Sequence, residues 1–237
     1  SMLINNSLKI YILNIEQLTL LFSQLDNKTH LENHISNTII TFIEYAKKYN
    51  LNIIDYSYEN KKIWKEMFKI NDVIVLEPMI NSELIKINKK TIDILILINS
   101  IDYRHTILKK YLNNLNIYNF SGTFKDDRRI LLGKSKILIN IHAGVNYKIC
   151  ELFRIYEAIA HKTIIVSQKC FNEDLVSLQK YIFFVNDEDI ESVCNNILLN
   201  YSLIYNNIYG NSSNDTIFRN IVLEYDNFLN NTIKYNN

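Results

Sequence analysis

Glycine, proline and cysteine are scarce in this chain of 237 residues, which contains four, one and three of them. With so few glycines and prolines, no linker rich in either residue divides the chain. The cysteines, Cys150, Cys170 and Cys194, belong to no CxxC motif and to no His/Cys cluster. They therefore predict neither a disulfide framework nor a zinc site, and each is expected to act as a small apolar residue in a reducing compartment.

A surplus of one charge sign is also missing. The chain has 26 lysines and arginines against 25 aspartates and glutamates, a formal net charge of +1, and no long block of like charge. Because nucleic-acid binding requires a basic surface, the composition predicts no nucleic-acid partner.

Long hydrophobic runs are absent as well, since no stretch reaches 18 uninterrupted apolar residues. The first residues, SMLINNSLKIYILN, lack the charged start, apolar run and cleavage site of a secretion signal. We therefore expect a soluble, cytoplasmic protein with no transmembrane segment. The surplus of Asn, Ile, Lys and Tyr is typical of an AT-rich coding genome.

Hydrophobic residues make up 48% of the chain, which is ample for a buried core at this length. Apolar runs of strand length alternate with longer amphipathic stretches, the order typical of a parallel sheet covered by helices. Strands are predicted at 8–13, 51–56, 72–76, 92–98, 116–120, 136–141, 163–167 and 181–185. Helices are predicted at 31–49, 61–68, 104–115, 126–132, 148–160, 172–179, 189–199 and 216–234.

Runs such as DVIVLEP, DILILINS and KTIIVS are continuous in Ile, Leu and Val, so both faces of the sheet should be covered. The predicted fold class is α/β, with doubly wound, mostly parallel sheets and helices on both faces, in two Rossmann-like halves of which the first is reduced. The polar stretch 81–90 separates the halves. We expect a small α/β part at 1–88, a Rossmann-like domain at 89–205, and a C-terminal helix with a frayed tail at 206–237.

The main candidate binding residues lie in the segment 136–167, which has the sequence KILINIHAGVNYKICELFRIYEAIAHKTIIVS. It predicts a strand, a loop with Gly144, a helix and a second strand. In an open α/β sheet such a loop lies at the carboxyl end of a strand, where ligands bind. Gly144 permits a tight turn, and the N-terminus of the next helix offers N–H groups to an anion. A diphosphate would suit this place.

The helix in this segment is apolar nearly all round, which is typical of a buried helix. Glu151, Arg154 and Glu157 are spaced by three residues, so they form one stripe on its surface. Charges on a buried helix must be paired or must line a cleft. One hypothesis makes Arg154 a phosphate or structural clamp and Glu157 an acceptor of ribose hydroxyls. The other is a structural ladder of salt bridges.

The pattern from Asn140-Ile141-His142 through Glu151, Arg154 and Glu157-Ala158 to the strand at 164–167 resembles the nucleotide-sugar-binding half of GT-B-fold glycosyltransferases. The resemblance extends over about 121–200 and fades toward the N-terminus. Two departures stand out. Many such enzymes have two glutamates eight residues apart, but Ile149 occupies the position eight before Glu157. The glycine usual between helix and strand is replaced by His161-Lys162.

The resemblance implies that Glu157 binds the ribose and that the loop from His142 to Tyr147 contacts the diphosphate or the donor sugar. Gly122, which follows another strand, would admit the base or the sugar. The implied donor-binding residues are Gly122, His142, Ala143, Gly144, Val145, Asn146, Tyr147, Lys148, Glu151, Arg154 and Glu157.

A catalytic base for the acceptor is expected at the carboxyl end of a strand in the first part, where Asn14, Asp55 and Glu77 are available. We select Glu77, which precedes the single proline, Pro78. His142 is a second candidate, because a neutral imidazole at the ligand edge can donate to a phosphate or a hydroxyl, although it can equally be a structural histidine.

Two patterns suggest a metal without requiring one. Asp187-Glu188-Asp189 matches a DxD motif but also suits the start of a helix, and His30 and His34 have i,i+4 spacing but no third ligand in view. We predict no essential metal and no cofactor.

The predicted function is metal-independent glycosyl transfer from a nucleotide-sugar donor, such as a UDP- or GDP-sugar, to a glycan, lipid or protein acceptor. The alternative is a catalytically inactive nucleotide- or sugar-binding or assembly module with the same fold. The short first part and the low glycine count favour the alternative.

Overall fold

The structure is a computed structural model that describes residues 11–14, 18, 30–78, 89–98, 102–120, 126–144, 149–170, 178–210, 223, 226, 227 and 230. The chain divides into two compact units. One comprises Ser1–Glu77 with Arg219–Asn237, and the other comprises Pro78–Phe218.

The described part of the first unit has a three-stranded parallel sheet with strand order β1-β2-β3. Helix α2 begins after Ser57, whose hydroxyl accepts from the Asn60 N–H at 3.1 Å and so caps the helix. Trp64 of α2 is fully buried against Ile53 of β2 and Ile43 of α1. The elements are β1 (Tyr11–Asn14), α1 (His30–Lys48), β2 (Asn52–Asp55), α2 (Tyr58–Phe68) and β3 (Val73–Val75).

The second unit has a five-stranded sheet with strand order β5-β4-β6-β7-β8, and all of its described pairings are parallel. Every residue of β7 is buried, as expected for a strand covered on both faces. The elements are β4 (Ile92–Leu97), α3 (Asp102–Tyr111), β5 (Ile117–Phe120), α4 (Asp126–Lys134), β6 (Ser135–Asn140), α5 (Leu152–Ala160), β7 (Ile164–Gln168), β8 (Ile182–Val185), α6 (Ile190–Leu199) and α7 (Tyr201–Tyr209). One-turn 3₁₀ helices at Gln179–Tyr181 and Asp187–Asp189 flank β8.

The winding direction reverses between β4 and β6, because the chain runs outward from β4 to β5 and then returns to β6. Right-handed crossovers place α3 on one face and α4 and α5, which pack on each other, on the opposite face. The predicted doubly wound α/β class is confirmed. Ligands of such sheets bind outside the carboxyl ends of the strands, beside the reversal point.

Three helices end on a residue in the left-handed conformation that glycine usually occupies. Asn50 (φ 48°) follows α1, Lys69 (φ 59°) follows α2 and Lys162 (φ 52°) follows α5. The next residue then donates its N–H to a carbonyl of the helix, over 3.0 Å in each case: Leu51 to Ala46, Ile70 to Trp64 and Thr163 to Ala158. The helix-end geometry is therefore formed without glycine.

The eight predicted strands are present with small shifts of their ends. Helix α5 was expected from Lys148 but begins at Leu152, because Ile149 and Cys150 before it are both fully buried in a non-helical turn. Helix α7 was not predicted. Most of the predicted helices at 172–179 and 216–234 lies outside the described residues.

Candidate functional site

The carboxyl ends of β6 and β7 carry a connected set of polar side chains. Arg154 on α5 donates through Nη1 to the Asn140 Oδ1 at 2.8 Å, and Asn140 donates to the Ser167 Oγ at 3.0 Å. Arg154 also pairs with the Glu151 carboxylate at 2.5 Å. Glu151 in turn contacts Arg104 of α3 at 3.0 Å. We call Arg104, Asn140, Glu151, Arg154 and Ser167 the carboxyl-edge cluster.

The carboxyl-edge cluster has more positive than negative charge, because Arg104 and Arg154 share the single carboxylate of Glu151. The Arg104 side chain is 5% exposed and also donates through Nε to the Ile141 carbonyl at 2.8 Å, so it is fixed. Arg154 is 20% exposed. Arg154 therefore exposes part of its guanidinium, and the cluster carries surplus positive charge. Both features favour the binding of an anion such as a phosphate.

The side chain of Gln168, at the end of β7, joins three segments of the second unit. Its Oε1 accepts from the His142 N–H at 2.7 Å, and its Nε2 donates to Asp187 Oδ1 at 2.6 Å and to the Tyr103 hydroxyl at 3.2 Å. Gln168 is buried, so these bonds replace the water that its amide would otherwise bind. It fixes the ends of β6 and β8 and the start of α3 with respect to one another.

A pocket of about 290 Å³ opens beside Gln168, which we call the strand-end pocket. Burial raises the pKa of the Tyr103 phenol, the bond from Gln168 opposes this, and the nearby Asp187 charge adds to the rise. Tyr103 therefore remains protonated at neutral pH. The pocket is lined by Tyr103, His142, Gly144, Gln168, Lys169, Val185, Asn186, Asp187 and Glu188.

Glu157, in the second half of α5, contacts helix α4 instead of the sheet edge. Its carboxylate forms an ion pair with Arg128, and its Oε1 lies 3.5 Å from Arg129 Nε. Its side chain is 5% exposed, whereas those of Arg128 and Arg129 are 36% and 25% exposed. The stripe predicted on α5 therefore divides: Glu151 and Arg154 contact the sheet edge, and Glu157 contacts α4.

Comparison with curated proteins finds a relative for most of the chain. It is 30% identical over 215 residues to the uncharacterized protein R358 of Acanthamoeba polyphaga mimivirus, and the match covers 87% of this chain and 68% of R358. This chain belongs to the R358 family. No family model matches it.

Solved structures similar to this R358-family chain are glycosyltransferases. TarM is 13% identical with a TM-score of 0.52, and the match covers 96% of this chain and 50% of TarM. A Staphylococcus aureus TarM variant in complex with fondaparinux, alpha-GlcNAc-glycerol and UDP is 13% identical with a TM-score of 0.51 and is matched over 92% of this chain and 50% of that one. The chain therefore spans about half the length of TarM. It has the GT-B-like glycosyltransferase fold that its sequence resembles.

The sequence-predicted residues lie in several places on this R358-family fold. His142 is buried two residues beyond β6, Ala143 and Gly144 follow it half-buried, and Gly144 lines the strand-end pocket. Glu77 lies half-buried two residues beyond β3, in the first unit. Gly122, Val145, Asn146, Tyr147 and Lys148 lie outside the described residues.

Asp55, an alternative to Glu77 as base, is a structural residue. It is fully buried, and its carboxylate accepts from the Ser57 N–H and the Asn60 side-chain amide at 3.0 Å and from the Trp64 indole at 2.8 Å. Three donors therefore hold this side chain in place within the first unit.

Sequence reasoning missed Tyr103, Arg104 and Gln168. Their one sequence signal is position. Gln168 directly follows the strand predicted at 163–167, and Tyr103 and Arg104 lie at the start of the helix predicted at 104–115. Asp187, which belongs to the predicted DxD motif or helix start, accepts from Gln168 and lies in the one-turn 3₁₀ helix Asp187–Asp189. Among the described residues, no group of three or more His, Cys, Asp and Glu side chains is arranged to hold a metal ion. None of the described helices has the length and apolar character to cross a bilayer.

Lys90 lies at the opposite, amino edge of the sheet. Its ammonium donates to the carbonyls of Leu132 and His161, near the ends of α4 and α5, at 3.3 and 2.9 Å and to the Thr163 hydroxyl at 3.2 Å. Burial lowers the pKa of Lys90 to about 7. Such a lysine cannot gain a proton in the folded state as readily as in the unfolded chain.

We expect the free energy of unfolding to rise with pH between about 7 and 9.5 because of Lys90. In this window the unfolded chain, with a lysine pKa of about 10.4, binds more protons than the folded protein, so each pH unit adds up to about 1.4 kcal/mol. Urea unfolding at several pH values should show a steeper rise for the wild type than for Lys90→Met. The exposed neighbour provides the control, since Lys89→Met should keep the wild-type slope. Parallel curves for the wild type and Lys90→Met would contradict this prediction.

Proposed function

We propose that this protein transfers a sugar from a nucleotide-sugar donor to a hydroxyl-bearing acceptor, without an essential metal ion. The observation that carries the proposal is the carboxyl-edge cluster, which has surplus positive charge at the ligand-binding edge of a GT-B-like fold. The complex of the TarM variant with UDP supports a nucleotide as part of the ligand.

In this proposal the diphosphate of the donor lies against Arg154 and the N-terminus of α5. Breaking the bond between the anomeric carbon and the diphosphate leaves negative charge on the departing phosphate oxygen. A guanidinium and a helix N-terminus stabilise that charge, which is the role that a divalent cation would otherwise fill. Arg104 is a positioning residue, since it holds Glu151 and the Ile141 carbonyl in place.

The acceptor and the base that receives its proton complete the proposal. Glu77 and His142 are the proposed bases, because each carries a proton-accepting group just beyond the end of a strand. A glycan, a lipid or a protein hydroxyl would all satisfy this chemistry.

The proposal predicts that calorimetry with UDP, GDP, dTDP and CMP finds at least one nucleotide that binds. Arg154→Gln should weaken binding of that nucleotide by about tenfold or more, because a charge-assisted contact to phosphate is lost. Lys134→Gln, which removes an exposed positive charge at the far end of α4, is the control and should leave affinity unchanged. If no nucleotide binds to the wild-type chain, the proposal is wrong.

One observation favours a binding or assembly module with the same fold. Glu157, which the resemblance assigns to the ribose, is already paired with Arg128 and Arg129. Release of free sugar from a nucleotide sugar that binds, measured in the presence of the wild-type chain and absent with Arg154→Gln, would support the transferase. Binding without any turnover would support the module.

A further inference from the structure

The strand-end pocket contains two carboxylates, Asp187 and Glu188, and one ammonium, that of Lys169. Its volume of about 290 Å³ is just below the range of about 300–1,000 Å³ for small-molecule sites. It therefore has room for one ring of a nucleotide sugar. The carboxylates repel a phosphate, which leaves the uncharged parts of such a ligand as candidates.

The carboxylate of Asp187 has a fixed orientation in the pocket. Gln168 holds its Oδ1 at 2.6 Å, and Gln168 is itself fixed by the His142 N–H and by Tyr103. Among the residues that the structure describes, the side chain that donates to Asp187 is that of Gln168, and it donates to Oδ1. The other carboxylate oxygen of Asp187, Oδ2, can therefore accept a hydrogen bond from a ligand. A fixed carboxylate recognises a ligand that presents a hydrogen-bond donor.

Tyr103 supplies a second polar group to the same pocket. Its oxygen accepts from Gln168, so its own proton is available for donation, and the raised pKa keeps that proton in place. An accepting carboxylate beside a donating phenol matches a ring that bears adjacent hydroxyls, or the edge of a base that has N–H groups beside a carbonyl.

We infer that Asp187, held by Gln168, binds a hydrogen-bond-donating ring of the nucleotide-sugar ligand in the strand-end pocket. The ring is either the sugar, through its hydroxyls, or an amine-bearing base such as guanine, through its N–H groups. Uracil fits less well, because its single ring N–H lies between two carbonyl oxygens that a carboxylate repels. The inference rests on the proposed function and adds a specificity-determining residue to it.

The test is calorimetry of the full chain with UDP, UDP-glucose, UDP-N-acetylglucosamine, GDP and GDP-mannose. If the pocket holds the sugar, the UDP-sugars bind more tightly than UDP. If it holds the base, GDP binds more tightly than UDP. We call this tighter binding relative to UDP the gain. In either case Asp187→Asn should weaken binding of the tighter ligand by about ten- to hundredfold and so remove most of the gain, because one oxygen of the carboxylate is replaced by a donor.

Two further variants sharpen the test. Asp189→Asn makes the same charge change two residues along the chain, at an exposed position that does not line the pocket, and should leave the gain intact. Tyr103→Phe removes one hydroxyl and should reduce the gain in the same direction as Asp187→Asn. Thermal unfolding of each variant without ligand checks that it is folded.

The failures of the two ideas are distinguishable. If nucleotides bind to the wild type but neither Asp187→Asn nor Tyr103→Phe changes the gain from the sugar or from the base, the inference about Asp187 is overturned and the proposed function stands. If no nucleotide or nucleotide sugar binds to the wild type, the proposed function is overturned and the inference with it.

Discussion

Replacement of Asp55 by alanine is expected to lower the free energy of unfolding of the first unit by about 3–5 kcal/mol. The substitution leaves three buried donors without their acceptor: the Ser57 N–H, the Asn60 amide and the Trp64 indole N–H. Each unsatisfied group costs about 1–3 kcal/mol, and local relaxation recovers part of the sum.

The chain itself supplies the probe for this measurement. Trp64 is its single tryptophan and donates directly to Asp55, so its fluorescence reports on the first unit during urea unfolding. Asp72→Ala, at an exposed position before β3, is the matched control and should shift the transition by less than about 0.5 kcal/mol. A shift for Asp55→Ala as small as that of the control would show that the three hydrogen bonds contribute little.

Replacement of Arg104 by methionine is expected to cost the second unit about 2–4 kcal/mol. Methionine keeps most of the aliphatic stem, so the loss comes from the guanidinium. The Ile141 carbonyl loses its buried donor, and Glu151 loses one of its two cationic partners. Removal of one member of a buried ion pair typically costs about 3–5 kcal/mol, and the remaining contact of Glu151 with Arg154 lowers that figure here.

Arg104→Met should also weaken nucleotide binding, because Glu151 then neutralises Arg154 without competition. Urea unfolding followed by circular dichroism gives the stability effect, and calorimetry of the folded variant gives the binding effect. Lys109→Met, on the same helix but exposed, should change neither. If Arg104→Met has the stability and the nucleotide affinity of the wild type, the proposed role of Arg104 in the site is wrong.

The strands of both units could be predicted because most contain a run of consecutive apolar residues, and the hydrophobic pattern is the main signal for such elements. Helix α7 was missed because Tyr201, Tyr205 and Tyr209 lie among asparagines of low helix propensity. These rings lie 5.5 and 5.3 Å apart at i,i+4 spacing, and that spacing is the signal that would have identified the helix.

The site was predictable only in part. Helical spacing identified Glu151 and Arg154, and strand ends identified His142 and Gly144, because both rules act over a few residues. The partners that fix them are distant in sequence: Arg104 is 47 residues from Glu151, and Asp187 is 19 residues from Gln168. Local pattern locates an edge of the sheet, but the sheet order decides which side chains meet there.

The left-handed residues Asn50, Lys69 and Lys162 change how the scarcity of glycine should be interpreted. Asparagine tolerates this conformation fairly well, whereas a lysine pays about 1–2 kcal/mol for it. A chain that ends its helices in this way forms, without glycine, the turns that glycine usually serves. Its low glycine count is therefore a poor guide to whether the protein has kept or lost an activity.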